Sequence, residues 1–241
     1  MRNPIFYGGI VVVTTLYLIR HGETAGSGEK RYNGSIDVPL SDRGADQVGE
    51  AAKFIADHLR DHEAAQALSY LKDIHDNAGA EDRSPEPPGL SAVYCSDLER
   101  ARRSAGIIAS LHRLYPVAMP DLRERHFGIW EGMTFTEIRE RYPVEFESWA
   151  GDPVRYSPPG GENTLGVKDR VISALERILG DHRGDNIAIV AHGGVNRIIL
   201  CHILSVPLEN IFRIEQDHAA VNIIEFWDRY PVVKLMNGGK K

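Results

Sequence analysis

The sequence predicts an α/β fold, a three-layer α/β/α sandwich whose mainly parallel sheet carries an antiparallel edge. Three observations predict it. Short β-branched and aromatic runs with no helical stripe recur at 11–19, 92–95 and 187–191. Segments with apolar residues at helical spacing stand between them, and strands that alternate with helices imply parallel pairing covered on both faces. The last strand-like runs, 212–214, 220–227 and 232–236, follow one another and fit strands near the edge of the sheet.

Taken in order, residues 11–19 (VVVTTLYLI) read as a buried strand. Ser41 offers an N-cap, and Val48, Ala52, Ile55 and Leu59 mark one face of a helix that ends near Arg60. Residues 64–74 fit a short helix, and the polar, Pro- and Gly-rich stretch after it fits a surface loop. Residues 61–89 are therefore expected to be an insertion in a single domain spanning 1–241. Its plain reading is a passive loop, and its sharper reading is a lid. Strand 92–95 leads into a helix over 97–112, with a third strand at 116–119. Short helices are expected at 134–141 and 143–149, and a Pro/Gly loop at 152–163. A helix at 164–179 carries Leu165, Val171, Leu175 and Ile178 on one face, before the strand at 187–191 and a helix over 195–204.

Composition narrows the function classes. A chain of 241 residues that is 42% hydrophobic and 26% charged can bury a sizeable core. Lys and Arg total 28 against 34 Asp and Glu, a formal net charge of −6. That balance argues against nucleic acid or an anionic membrane as partner, but leaves room for a small basic pocket. The two cysteines, Cys95 and Cys201, are too few for a disulfide framework and fit a reducing compartment. No cleavable leader is read at the N-terminus, and no apolar run approaches the roughly 20 residues of a membrane span. A cytoplasmic protein is expected.

In sheets of this kind ligands bind outside the carboxyl ends of the strands. The first strand runs into Arg20-His21-Gly22-Glu23-Thr24, and strand 187–191 into His192-Gly193-Gly194. Strand 92–95 leads through Ser96 and Asp97 to Arg100. Two histidines and two arginines thus converge on one rim. A guanidinium fork matches phosphate oxygens, and an imidazole can carry a phosphoryl group covalently. Fixed cations would stabilise the charge spread over the transferred group, so no metal or cofactor is expected. Glu124, after the third strand, can protonate the leaving oxygen and then activate water. His58 and His62 have metal-ligand spacing but no third ligand, and read as a surface pair. His126 is near enough in sequence to touch a substrate.

The segment 18–24 (LIRHGET) resembles the signature of the histidine phosphatase superfamily, the phosphoglycerate mutase-like proteins. Further blocks follow in order over nearly the whole chain. They are RYNG at 31–34 with Asp37, Pro39, Ser41 and Gly44, SDLERA at 96–101, LRE at 122–124 with FGIWEG at 127–132, PPGGE at 158–162, and VAHGG at 190–194. The resemblance implies a phosphoglycerate mutase-like fold and a metal-independent phosphoric monoester hydrolase, a histidine acid-type phosphatase. By it, His21 accepts the phosphoryl group. Arg20, Arg100 and His192 bind its oxygens, and Glu124 is the acid. Gly22, Thr24, Asn33 and the Gly193 backbone would line the pocket. Where many members carry Trp-Asn after the first block, this chain has Gly26-Ser27, and Ser27 would donate in place of the amide.

The PPGGE and FGIWEG stretches look like the phosphatase branch that includes α-ribazole phosphatase-like enzymes. A small phosphorylated metabolite is the expected partner. A phosphoglycerate mutase is the first alternative, because residues 124–128 (ERHFG) resemble that branch. Against it, 134–156 lacks a basic substrate-binding segment. A non-catalytic module that binds phosphorylated ligands is the second, and no catalytic position is lost here to favour it. The C-terminal edge strands can pair with a second chain, so a homodimer is a further expectation.

Overall fold

The structure is a computed structural model and describes residues 12–74, 89–227 and 230–239; for 62–74 it describes the helical backbone alone. The chain runs β1 (Val13–Arg20), α1 (Asp42–Ile74), β2 (Ala92–Cys95), α2 (Glu99–Leu111), β3 (Val117–Ala118), α3 (Phe135–Arg141), α4 (Pro143–Gly151), α5 (Thr164–Asp181), β4 (Asn186–Ala191), α6 (Gly193–Leu204), β5 (Val221–Trp227) and β6 (Tyr230–Gly238). These form one six-stranded sheet in the order β3-β2-β4-β1-β5-β6. β1, β2, β3 and β4 pair in parallel, whereas β5 runs antiparallel to β1, and β6 to β5. The expected three-layer α/β/α arrangement, parallel with an antiparallel side, is what forms.

Successive strand side chains point to opposite faces, so β1 and β4 feed two cores at once. Leu16, Leu18, Ile187 and Ile189 pack with Val171 and Leu175 of α5 and Ile199 of α6. Tyr17, Ile19, Ala188 and Val190 pack on the other side with Val48, Ala52 and Ile55 of α1 and Ala105 and Ile108 of α2. Burying each Val, Leu or Ile is worth about 1.5–3 kcal/mol, so the centre of the sheet is the rigid part of the molecule. Among the described residues no helix is long and apolar enough to cross a membrane.

The local signals act as written in most elements. The Ser41 hydroxyl oxygen accepts the Gly44 N–H at 3.0 Å and opens α1. Thr134 and Glu137 form a reciprocal capping box on α3. Asn163 accepts the Gly166 N–H at 2.7 Å at the start of α5.

Two expectations change. α1 does not stop near Arg60 but continues to Ile74. The charged Asp61, His62 and Glu63 do not break it, because neither Gly nor Pro occurs between Glu50 and Ala78. Of the expected insertion at 61–89, residues 61–74 continue this helix and residues 75–88 lie outside the described residues, as do the first residues, 1–11. The expected strand at 212–214 is the end of a 3-10 helix, Leu208–Arg213. Pro207 sets its start, Ile211 and Ile214 turn inward, and a Phe-Arg-Ile run without a partner strand does not make a strand. The other strands expected near the edge are there, with β5 next to the edge strand β6 and β3 at the other edge.

Candidate active site

Strand register builds the site. Arg20 of β1 pairs with Ala191 of β4, so both strands end level and the next residue of each is a histidine. The His21 N–H donates to Ala191 O at 3.0 Å, and the two imidazole centroids lie 5.1 Å apart. Cys95 of β2 pairs with Val190, which sets Ser96 at the same rim and Arg100 in the first turn of α2. A 3-10 turn, Pro120–Leu122, follows β3 and delivers Glu124.

His21, Arg20, Arg100 and Glu124 are each held by backbone. His21 is 6% exposed, and its Nδ1 lies 2.7 Å from Gly22 O. A carbonyl can only accept, so the proton sits on Nδ1 and Nε2 keeps its lone pair. Burial first, then the Arg20 and Arg100 guanidinium groups, push the His21 pKa well below the ordinary histidine value. Burial, His21 and the same arginines do so for His192, which is 1% exposed. Both rings are therefore neutral near pH 7. Arg100 donates to Gly34 O at 2.6 Å and Ile36 O at 2.7 Å, and Arg20 to Gln216 O at 2.6 Å. Glu124 accepts Gly194 N–H and Arg125 N–H, both at 2.9 Å.

Arg20 Nε and both ring nitrogens of His192 are buried with no hydrogen-bond partner among the described residues. Native interiors rarely leave such groups unpaired unless they serve a ligand or hold strain. Here they stand beside His21 in one cavity of about 670 Å³.

Of the residues singled out by sequence, Arg20, His21, Thr24, Ser27, Asn33, Arg100, Glu124, His192 and Gly193 all line that cavity. Gly22 does not line it. It faces α1, where a Cβ would meet Gly44 O at 2.2 Å, so its place in the signature answers to backbone packing. Ser27 Oγ accepts the Thr24 N–H at 2.9 Å and lies 2.8 Å from Thr24 Oγ1, so the hydroxyl is tied into its own loop. His126 does not line the cavity; its Nδ1 accepts the Gly128 N–H at 3.0 Å. Neither do two other acids of the matched blocks. Glu131 accepts the Ser35 and Phe127 N–H groups, and Glu23 lies 3.5 Å from Arg43. His58 lies 2.8 Å from the Tyr17 hydroxyl, and the His62 side chain is outside the described residues.

Sequence reasoning missed His218. Its Nε2 accepts from Arg20 Nη2 at 3.0 Å, and its ring lies 5.9 Å from His21. Burial and Arg20 bring its pKa down to about 4. It precedes β5, and the start of an antiparallel strand shares a rim with the ends of its parallel neighbours. Arg197 of α6 was also not foreseen, nor was the aromatic character of the rim that α3 and α4 build.

The family model for the histidine phosphatase superfamily (branch 1) matches residues 16–72 and 81–238. A bifunctional protein of Mycobacterium tuberculosis is 31% identical over 98% of this chain and 57% of its own length. The chain thus spans little more than half of that relative. Phosphoserine phosphatase 1 of Hydrogenobacter thermophilus is 28% identical over 92% of this chain and 91% of its own. The solved structure of the α-ribazole phosphatase from Shigella flexneri superposes with a TM-score of 0.73 at 24% identity, covering 93% of this chain and 96% of that one.

Proposed function

The chain belongs to the histidine phosphatase superfamily, and on that premise we propose that it is a metal-independent phosphomonoesterase that acts on a small phosphorylated metabolite through a phosphohistidine on His21. The observation that carries this reading is the His21 tautomer. The Nδ1 proton is committed to Gly22 O, which leaves a nucleophilic nitrogen in a buried ring between two guanidinium groups. A phosphoserine phosphatase among the relatives supports the hydrolytic outcome.

In the first step His21 Nε2 attacks phosphorus, a P–N bond forms and the ester P–O bond breaks. The ring gains positive charge, which the Gly22 carbonyl stabilises through the Nδ1–H. Arg20 and Arg100 hold the equatorial oxygens, and His192 donates its one N–H to them. Glu124 gives a proton to the leaving alkoxide. In the second step the Glu124 carboxylate takes a proton from water, the water attacks phosphorus, the P–N bond breaks and inorganic phosphate leaves.

The test is His21→Ala assayed with p-nitrophenyl phosphate. Turnover should vanish, and the wild-type protein should trap an acid-labile, alkali-stable phosphoryl group on His21. Retained turnover in the variant would sink the mechanism.

A further inference from the structure

Away from the histidines the cavity changes character. Phe127 and Trp130 face it from the loop after β3, Phe135 from α3, Phe146 and Trp149 from α4, and Phe212 from the 3-10 helix Leu208–Arg213. The rings touch in series. Centroids lie 5.0 Å apart for Phe135 and Phe146, 5.7 Å for Phe146 and Trp149, 6.3 Å for Trp149 and Trp130, and 6.5 Å for Trp149 and Phe212. This is not core. α4 has no fully buried residue, and Phe135 and Phe212 are 46% and 67% exposed. Apolar surface gathered at a cavity mouth, rather than scattered, marks a binding surface.

Most guanidinium nitrogens of this half are already engaged. Arg31 bonds Glu29, Glu137 and Gly132 O. Arg125 donates to Glu162 O, Thr164 Oγ1 and Tyr156 O. Arg197 donates to Ile214 O and Glu215. Lys30 stands exposed at the mouth. A leaving group with its own carboxylate would therefore lose water against aromatic rings, while most of the guanidinium donors beside it already hold protein oxygens.

We propose that this half of the site selects phosphomonoesters whose alcohol carries an aromatic group and no carboxylate, with Trp149 and Phe212 as specificity residues. The inference rests on the phosphatase reading and names the class of ester that reading leaves open. It differs from phosphoserine, the substrate in a relative's name.

Phosphate release is measured from ethyl, phenethyl and naphthylethyl phosphates, whose alkoxides are of similar basicity, and from phosphoserine and phosphoglycerate. The arylethyl esters should exceed ethyl phosphate in kcat/KM by roughly 10- to 100-fold, the range expected for burying one aromatic ring, and mainly through KM. Trp149→Ala and Phe212→Ala should each cut the aryl-to-ethyl ratio by about 10-fold, and Trp149→Phe should restore most of it. Should Trp149→Ala fail to fold, Phe212→Ala alters an exposed ring and carries the test. Equal rates across the series, a preference for phosphoserine or phosphoglycerate, or an unchanged ratio in Phe212→Ala would overturn the inference and leave the phosphatase standing. Turnover of no ester at all, p-nitrophenyl phosphate included, would overturn both.

Discussion

Gly194 shows how a residue without a side chain can set the position of an acid. Its N–H holds Glu124 Oε2 at 2.9 Å, and a Cβ added there would lie 2.4 Å from Glu124 Oε1. Gly194→Ala must push that carboxylate away while leaving the two histidines on their strands. Displacement of a catalytic group by about 1 Å can cost on the order of 100-fold. The expected result is kcat lowered by about that factor with KM little changed, read from steady-state kinetics on p-nitrophenyl phosphate. Unaltered kcat would mean that Glu124 need not sit where this N–H puts it. The sequence placed Gly193 in the pocket wall and read Gly194 only as part of the same block. A glycine's role depends on what crosses over it, which a linear pattern does not state.

At the scale of elements, the site divides into parts fixed by the sheet and parts fixed by docking. His21 and His192 were legible because two apolar strands run straight into Arg-His-Gly and His-Gly-Gly, and the ends of parallel neighbours fall level. His218 was not, since its place follows from the reversal of β5, which depends on pairing rather than on local composition. The aromatic wall was equally hidden. Nothing in the sequence separates a core tryptophan from a wall tryptophan at 130 and 149, and the ring contact of Trp149 with Phe212 shows where the wall runs. α5 supplies a further link. Arg170 forks onto Glu162 at 3.0 and 2.9 Å and donates to Asp121 O and Arg123 O, both at 2.8 Å, so it clamps the segment that ends in Glu124. Arg170→Met should lower kcat by about 10-fold or more while KM changes less, and Arg170→Lys should not rescue it, because an ammonium lacks the planar fork. Full rescue by lysine would reduce the clamp to a matter of charge.

For the whole molecule, the buried histidines tie stability to pH. In the unfolded chain an imidazole titrates near about 6.5. In the folded protein His21 and His192 are held well below that value and His218 at about 4. The unfolded state therefore takes up more protons as pH falls through 6.5, and acid favours unfolding. Each fully buried ring adds up to about 1.4 kcal/mol of lost stability per pH unit in that window. Tm should fall steeply between pH 7 and pH 5, and His192→Asn should flatten the slope. A Tm profile as steep in the variant as in the wild type would assign the pH dependence to other groups. The net charge of −6 is compatible with this cationic centre, because Arg20 and Arg100 are both largely withdrawn from the surface.

The level ends of β1 and β4 have one more effect. The distance between His21 and His192 is tied to the spacing of hydrogen-bonded strands, about 4.8 Å in any sheet, and cannot drift without unzipping the middle of the molecule. Phe135, Phe146, Trp149 and Phe212 stand on α3, α4 and a 3-10 helix, none of which contributes a strand. A mutable rim thus sits on an immutable reaction centre. Directed evolution confined to 134–151 and 208–213 can retool this chain for other alcohols while the phosphoryl chemistry stays as it is.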